Sequence, residues 1–192
     1  PTGVSYLDEL KDAAHVGPRV AIIGAGGIGF DVAEFLSHHG ESTSLNPQAF
    51  YDEWGIDPNY QYEGGLKQPK PQTSARDIYL LQRKATSIGA GLGKTTGWIH
   101  RTSLKQRQVK MLNQVNYQKI DDQGLHIEIN AQSMVLDVDH VVICAGQESY
   151  MPLYDELTQS GQRVHLIGGA KFAAELDAKR AIADGAYLAA SL

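Results

Sequence analysis

The chain has 192 residues, of which 42% are hydrophobic, and carries 17 basic against 22 acidic residues for a net charge of −5. That length suits one domain, or one domain with an insertion. The acidic balance excludes a general nucleic-acid binder, which shows a basic excess, and the single cysteine, Cys144, excludes an internal disulfide or an all-cysteine metal site within the chain.

No apolar run approaches the ~20 residues of a bilayer span, and no secretory leader is evident. A cytoplasmic protein that contacts neither nucleic acid nor membrane is therefore expected. The sequence opens on Pro1 and runs through polar residues, and so reads as a piece of something longer. Residues 1–18 read as a lead-in linker, in which Leu7, Leu10 and Ala14 suit a short helix stopped by Gly17-Pro18.

Residues 19–36 carry the strongest signal. Val20, Ala21, Ile22 and Ile23 predict a strand covered on both faces. It runs into Gly-x-Gly-x-x-Gly at Gly24, Gly26 and Gly29, followed by a helix with Ile28, Val32, Phe35 and Leu36 at helical spacing. A bare glycine pattern often marks only a turn. Between a strand and a helix it is the fingerprint of a dinucleotide site. Gly24 makes the tight turn, Gly26 admits the pyrophosphate, and Gly29 lets helix and strand pack. Gly24, Ala25, Gly26, Gly27, Ile28 and Gly29 are accordingly the candidate cofactor-binding residues, with the N–H groups of the first helical turn facing the anion.

A second strand is then due within a few residues, but 41–75 is rich in Gly, Pro, Ser, Asn and Gln. It also contains Phe50, Tyr51, Trp54, Tyr60 and Tyr62. We read it as an insertion, partly packed through its aromatics. The second strand is Asp77 to Leu81, and Arg83 and Lys84 follow it. In a Rossmann site this strand end reads the adenosine ribose, and basic side chains there accept the 2′-phosphate of NADP(H). The alternative is a solvated pair closing a strand. Arg101, or Arg107, is a further cation for the same phosphate.

The glycine-rich run over 87–97 includes Gly-Lys-Thr but lacks the spacing of a phosphate-binding P-loop. It is either a flexible loop beside the nicotinamide half or an ordinary connector. Trp98 to Gln108 has helical pattern, and Val109 to Leu112 is a third short strand. Residues 115–138 alternate and turn as a three-stranded antiparallel meander, with one turn at Asp121-Asp-Gln-Gly124. His140 to Gly146 is a buried strand whose end, Cys144-Ala145-Gly146, offers a small-residue turn under a nucleotide or merely a strand-ending turn. Cys144 suits a small core residue better than a redox thiol. Val164 to Gly169 is expected as one more strand, and a helix from Phe172 is expected to align Phe172, Leu176, Ile182, Ala186 and Ala189.

The seven histidines show no metal-ligand spacing. No nucleophile elbow and no Tyr-x-x-x-Lys pair occurs. The residues thus describe a cofactor pocket with no catalytic acid–base pair and no metal site. The fold class is α/β: a Rossmann-like three-layer FAD/NAD(P)-binding domain with a parallel sheet and a three-stranded antiparallel meander.

Several blocks together carry a family resemblance. They are Val4-Ser-Tyr6, the 19–36 block with Gly-Ala-Gly-Gly-Ile-Gly-Phe-Asp, Leu80-Leu-Gln-Arg-Lys84, and Gly-Leu-Gly-Lys-Thr-Thr-Gly-Trp-Ile-His-Arg over 91–101. Tyr117-Gln-Lys-Ile-Asp-Asp122, Val142-Ile-Cys-Ala-Gly-Gln-Glu148 and Leu166-Ile-Gly-Gly169 extend it. Over nearly its whole length the chain resembles the C-terminal region of bacterial NADPH-dependent 2,4-dienoyl-CoA reductases, a family of iron–sulfur flavoproteins.

The resemblance implies an NADP(H)-binding domain over 19–163 and the closing strand and helix of an FAD-binding domain over 164–192, with Gly168 and Gly169 at the flavin. It implies that FAD, FMN and a 4Fe-4S cluster belong to the full-length protein, the last two on an N-terminal barrel. The partners are then the dinucleotide and the remainder of the chain's own polypeptide. Hydride would pass from NADPH to FAD, and electrons onward to FMN and the dienoyl-CoA. The fragment alone is expected to bind coenzyme without turning over substrate. Relatives place an acid after the Ile-Gly of the last strand where this chain has Gly169, so FAD retention by the fragment is not expected. The competing expectation is a non-catalytic dinucleotide-sensing or interaction domain.

Overall fold

The computed structural model describes residues 2–5, 16–174 and 176–192. The helix expected around Leu7, Leu10 and Ala14 lies outside the described residues. The chain forms two units, 1–145 and 146–192.

The first unit is built on a five-stranded parallel sheet in the order β1-β8-β2-β3-β4. Its strands are β1 (Thr2–Ser5), β2 (Arg19–Ile23), β3 (Asp77–Leu81), β4 (Lys110–Leu112) and β8 (His140–Ile143). The lead-in, read as a linker, thus contributes an edge strand, with Val4 opposite Val142. β2 is central, with Val20 opposite both Ile78 and His140.

Alternation along β2 explains the layers. Val20 and Ile22 join Ile78 and Leu80 of β3 and Val142 of β8 beneath two helices, α1 (Gly27–Ser37) and α3 (Gly97–Gln106). Ala21, Leu81 and Val141 point the other way, onto Leu125, Ile127 and Leu136 of the meander. The meander strands are β5 (Asn116–Asp121), β6 (Gly124–Ile129) and β7 (Gln132–Leu136), antiparallel in that order. The expected α/β three-layer arrangement, with its parallel sheet and separate meander, is therefore present. At the β5–β6 turn, Lys119 and His126 hold the Asp121 carboxyl well below the usual carboxylate range.

The buried arc of α1 is centred on Gly29, Ala33 and Leu36 and takes in Phe30. Phe35, expected in the stripe, lies just past the edge of that arc and is 45% exposed. The 41–75 insertion is a folded lobe. It contains α2 (Pro47–Trp54), started by the Asn46 side chain accepting the N–H groups of Gln48 and Ala49 and ended by Gly55 in the left-handed region. Phe50 packs against Tyr51 and Trp54. Buried Glu53 reaches Arg107, just past α3, at 3.3 Å and anchors the lobe.

The second unit holds α4 (Tyr154–Gln159), α5 (Gly168–Lys171) and α6 (Ala178–Ser191). Two expectations fail here. Residues 164–167 form no strand, because none of the described strands pairs with them, and Gly168, at φ +56°, turns the chain into α5. The last helix begins at Ala178 rather than Phe172, because Asp177 accepts the Arg180 N–H and sets the cap there. Phe172 and Leu176 precede the helix, and no residue of α6 is buried. Among the described residues no helix is long and apolar enough to cross a membrane.

Candidate functional site

The carboxyl end of β2 delivers the chain into the start of α1. Gly24 adopts φ +110°, and a Cβ there would lie 2.7 Å from the Cys144 carbonyl oxygen. A Cβ on Gly29 would lie 1.7 Å from the Gly24 oxygen. Both glycines are therefore required by the protein's own packing. Gly26 differs: no heavy atom lies within 4 Å of where its Cβ would be. The space that its missing side chain leaves faces outward.

The first intrahelical bond of α1 runs from the Phe30 N–H to the Gly26 oxygen at 3.0 Å. The N–H groups of Gly27, Ile28 and Gly29 thus emerge at the helix end. No side chain caps them, and the first turn holds no acid. Open space and uncapped donors at the positive end of a helix suit a phosphate. Ala25 sits between them, and Ala145 approaches from the end of β8, its nitrogen 3.0 Å from a Gly24 Cβ position.

Arg83 and Lys84 follow β3, the next strand in the sheet, and both are exposed. The segment carrying them is fixed by residues that carried no sequence signal. Gln82 donates its amide to the Lys84 carbonyl at 3.0 Å, Asn113 donates to the Ala85 carbonyl at 3.0 Å, and the Gln114 N–H donates to the Lys84 carbonyl at 3.2 Å. Two cations are therefore displayed from a held backbone. Burial pushes the Tyr117 phenol of β5 up to about 12, and the positive charge of Arg83 pulls against that shift. Tyr117 is a neighbour that the sequence did not announce.

Arg101 lies on α3, its aliphatic stem 3.0 Å from a Cβ position on Gly89, which also touches Phe30 of α1. The glycine-rich loop is thereby clamped on α1, with Gly89 buried at φ +76°. Arg107, the alternative cation, is bonded to Glu53 and to Ser37, at the far end of α1 from the fingerprint. It does not assist at the strand end.

Gly146, Gly168 and Gly169 belong to the second unit. Gly146 has φ +87° and no neighbour where a Cβ would stand. The Gly168 N–H already donates to the Asp184 carboxylate at 3.1 Å, and a Cβ on Gly169 would lie 3.1 Å from Leu176.

Burial pushes the Cys144 thiol up to about 12. Its thiolate fraction at neutral pH should fall roughly three orders of magnitude below that of a free thiol. Alkylation of the folded chain by iodoacetamide, followed by mass spectrometry, is expected to be slower by that factor and to become fast on denaturation. Rapid labelling of the native chain would contradict the packing of Cys144.

The family model for pyridine nucleotide-disulphide oxidoreductases matches residues 3–176. A metal reductase of Desulforamulus reducens is 23% identical over 167 residues, which are 87% of this chain and 24% of that protein. The chain thus spans about a quarter of that curated relative. The structure of a 2-naphthoyl-CoA reductase in complex with 2-naphthoyl-CoA aligns at a TM-score of 0.66 and 18% identity, over 95% of this chain and 22% of that one. The bacillithiol disulfide reductase of Staphylococcus aureus aligns at a TM-score of 0.46 and 16% identity, over 75% of this chain and 32% of that one.

Proposed function

Because the chain belongs to the pyridine nucleotide-disulphide oxidoreductase family, whose members bind FAD and NAD(P)H, we propose that it is the NADP(H)-binding part of a flavin-dependent reductase. In this reading the N–H groups of Gly27, Ile28 and Gly29 hold the pyrophosphate, and Gly26 gives it room. Arg83 and Lys84 take the 2′-phosphate, and Arg101 supports the loop beside them. Cys144 and Ala145 form a floor for the nicotinamide half. The bound coenzyme supplies a hydride to FAD. The observation that carries the reading is the empty approach at Gly26 beside an uncapped, acid-free helix start.

The finer proposal is a 2,4-dienoyl-CoA reductase. The resemblance of the 91–101 block supports it. FMN, the 4Fe-4S cluster and the acyl-CoA site would lie on parts of the protein beyond these residues. Gly168 and Gly169 would face the flavin, in a 164–192 segment completing an FAD domain, and the full-length protein would work in the cytoplasm.

Titration of the chain with NADPH and NADH tests the coenzyme assignment. Arg83→Ala should lose one charged phosphate contact, worth about 1.5–3 kcal/mol. NADPH should therefore bind about 10- to 150-fold more weakly, with NADH unaffected. Equal affinity for the two coenzymes, or a silent variant, overturns the 2′-phosphate role.

A further inference from the structure

The far end of α1 borders a cleft of about 590 Å³ that the coenzyme reading does not use. Glu34, Phe35, His38, His39, Arg76 and Arg107 line it. A neighbouring cleft of about 530 Å³ shares Arg76 and Arg107 and reaches Arg19 and Asp77, the first residues of β2 and β3. Both clefts therefore lie at the amino-terminal edge of the sheet, whereas the fingerprint lies at the carboxyl edge. The 11 residues of α1 separate its two ends by roughly 16 Å.

The chemistry of this end favours an anion. The Arg107 side chain is 11% exposed, yet its bonds are long: 3.4 Å to the Ser37 hydroxyl and 3.3 Å to Glu53. Its Nε is enclosed and has no partner among the described residues, so any further acceptor must meet the two terminal nitrogens, and the residue lines the cleft. A largely buried guanidinium whose terminal nitrogens each make one long bond keeps N–H capacity for a further acceptor. Glu34, the lining carboxylate, is taken by His100 at 2.7 Å.

The carbonyls at the end of α1 would repel an anion, but they are already occupied. The Glu34 oxygen accepts from the His38 N–H, the Leu36 oxygen from Arg76, and the Ser37 oxygen from the Ala75 N–H. Phe35 adds a half-exposed aromatic wall.

We propose that this cleft binds a small phosphomonoester of the mononucleotide type, separate from the dinucleotide. Arg107, with His38 and His39, takes the phosphate, and the ring lies on Phe35.

Nitrogen-15 NMR titrations of the chain with adenosine 5′-monophosphate, adenosine and inorganic phosphate test this. The monophosphate should shift His38, His39 and the Arg107 side chain, saturate below about 1 mM, and remain bound in the presence of saturating NADP+. Adenosine should not saturate, and inorganic phosphate should bind about tenfold more weakly than the monophosphate. Arg107→Lys keeps a cation beside Glu53 but loses the fork, and should weaken binding about tenfold with the fold intact. Phe35→Ala changes an exposed ring and should weaken it several-fold.

The proposal fails if the monophosphate leaves these residues unmoved, is displaced by NADP+, or binds both variants as it binds the parent. Adenosine binding as tightly as the monophosphate would remove the phosphate role. Inorganic phosphate doing so would remove the ring role.

Discussion

Gly29→Ala is expected to destabilise the first unit by about 3 kcal/mol or more, whereas Gly26→Ala should leave stability unchanged and remove coenzyme binding. The two substitutions add the same methyl group three positions apart. At Gly29 the new carbon would stand 1.7 Å from the Gly24 oxygen and 2.9 Å from its carbonyl carbon. Both contacts are to backbone, one side belonging to the end of β2 and the other to α1. Neither can yield unless the helix lifts away from the core formed by Phe30, Ala33 and Leu36.

At Gly26 the new carbon meets nothing within 4 Å, and φ of −85° is ordinary for alanine. The only tenant that the methyl can obstruct is one that comes from outside. Urea unfolding of both variants, with NADPH titration of the one that folds, separates the roles. Coenzyme binding by Gly26→Ala within about tenfold of the parent would place the pyrophosphate elsewhere. A Gly29→Ala chain as stable as the parent would refute the strand–helix approach.

Glu53→Ala should cost about 3–5 kcal/mol, the range for breaking a buried ion pair by removing one partner. The two side chains are 7% and 11% exposed. Loss of the carboxylate leaves the largely buried Arg107 charge with only its long bond to the Ser37 hydroxyl and removes the acceptor of the Thr43 hydroxyl at 2.5 Å. A surface pair would cost less than about 1 kcal/mol, so denaturant midpoints decide between the two situations. Glu53→Gln, which keeps an acceptor of the same shape, should recover part of the loss. Since Thr43 and Glu53 belong to the insertion and Arg107 follows α3, the pair joins the lobe to the helix that carries Arg101. Local loosening, read by hydrogen exchange, should therefore reach both sides.

The parts of the fold legible in the sequence are those governed by period and by glycine. Apolar Val20 to Ile23, the spacing of Gly24, Gly26 and Gly29, and the alternation over 115–138 each encode a local geometry that the packed layers reinforce. The position of Arg83 and Lys84 followed from where Leu81 ends the strand. β1 was not legible, because a four-residue strand at a sheet edge is held by backbone pairing to β8, which leaves little side-chain pattern. The stretch before Gly168 failed for the converse reason: its apolar residues suit a strand, but strand formation needs a neighbour. Asp177 outweighed the apolar spacing that pointed to Phe172, since a cap fixes where a helix starts. Gln82 and Asn113 were invisible because amide side chains bonding to a nearby backbone follow no period.

Arg83 and Lys84 stand beyond the last residue of β3, on a backbone held by amides, and make no part of either hydrophobic core. Substitution there leaves the interior untouched. On the proposed 2′-phosphate reading, coenzyme preference can therefore be changed by substitutions at these exposed positions without disturbing the glycine turn, which is locked by atoms of the protein itself.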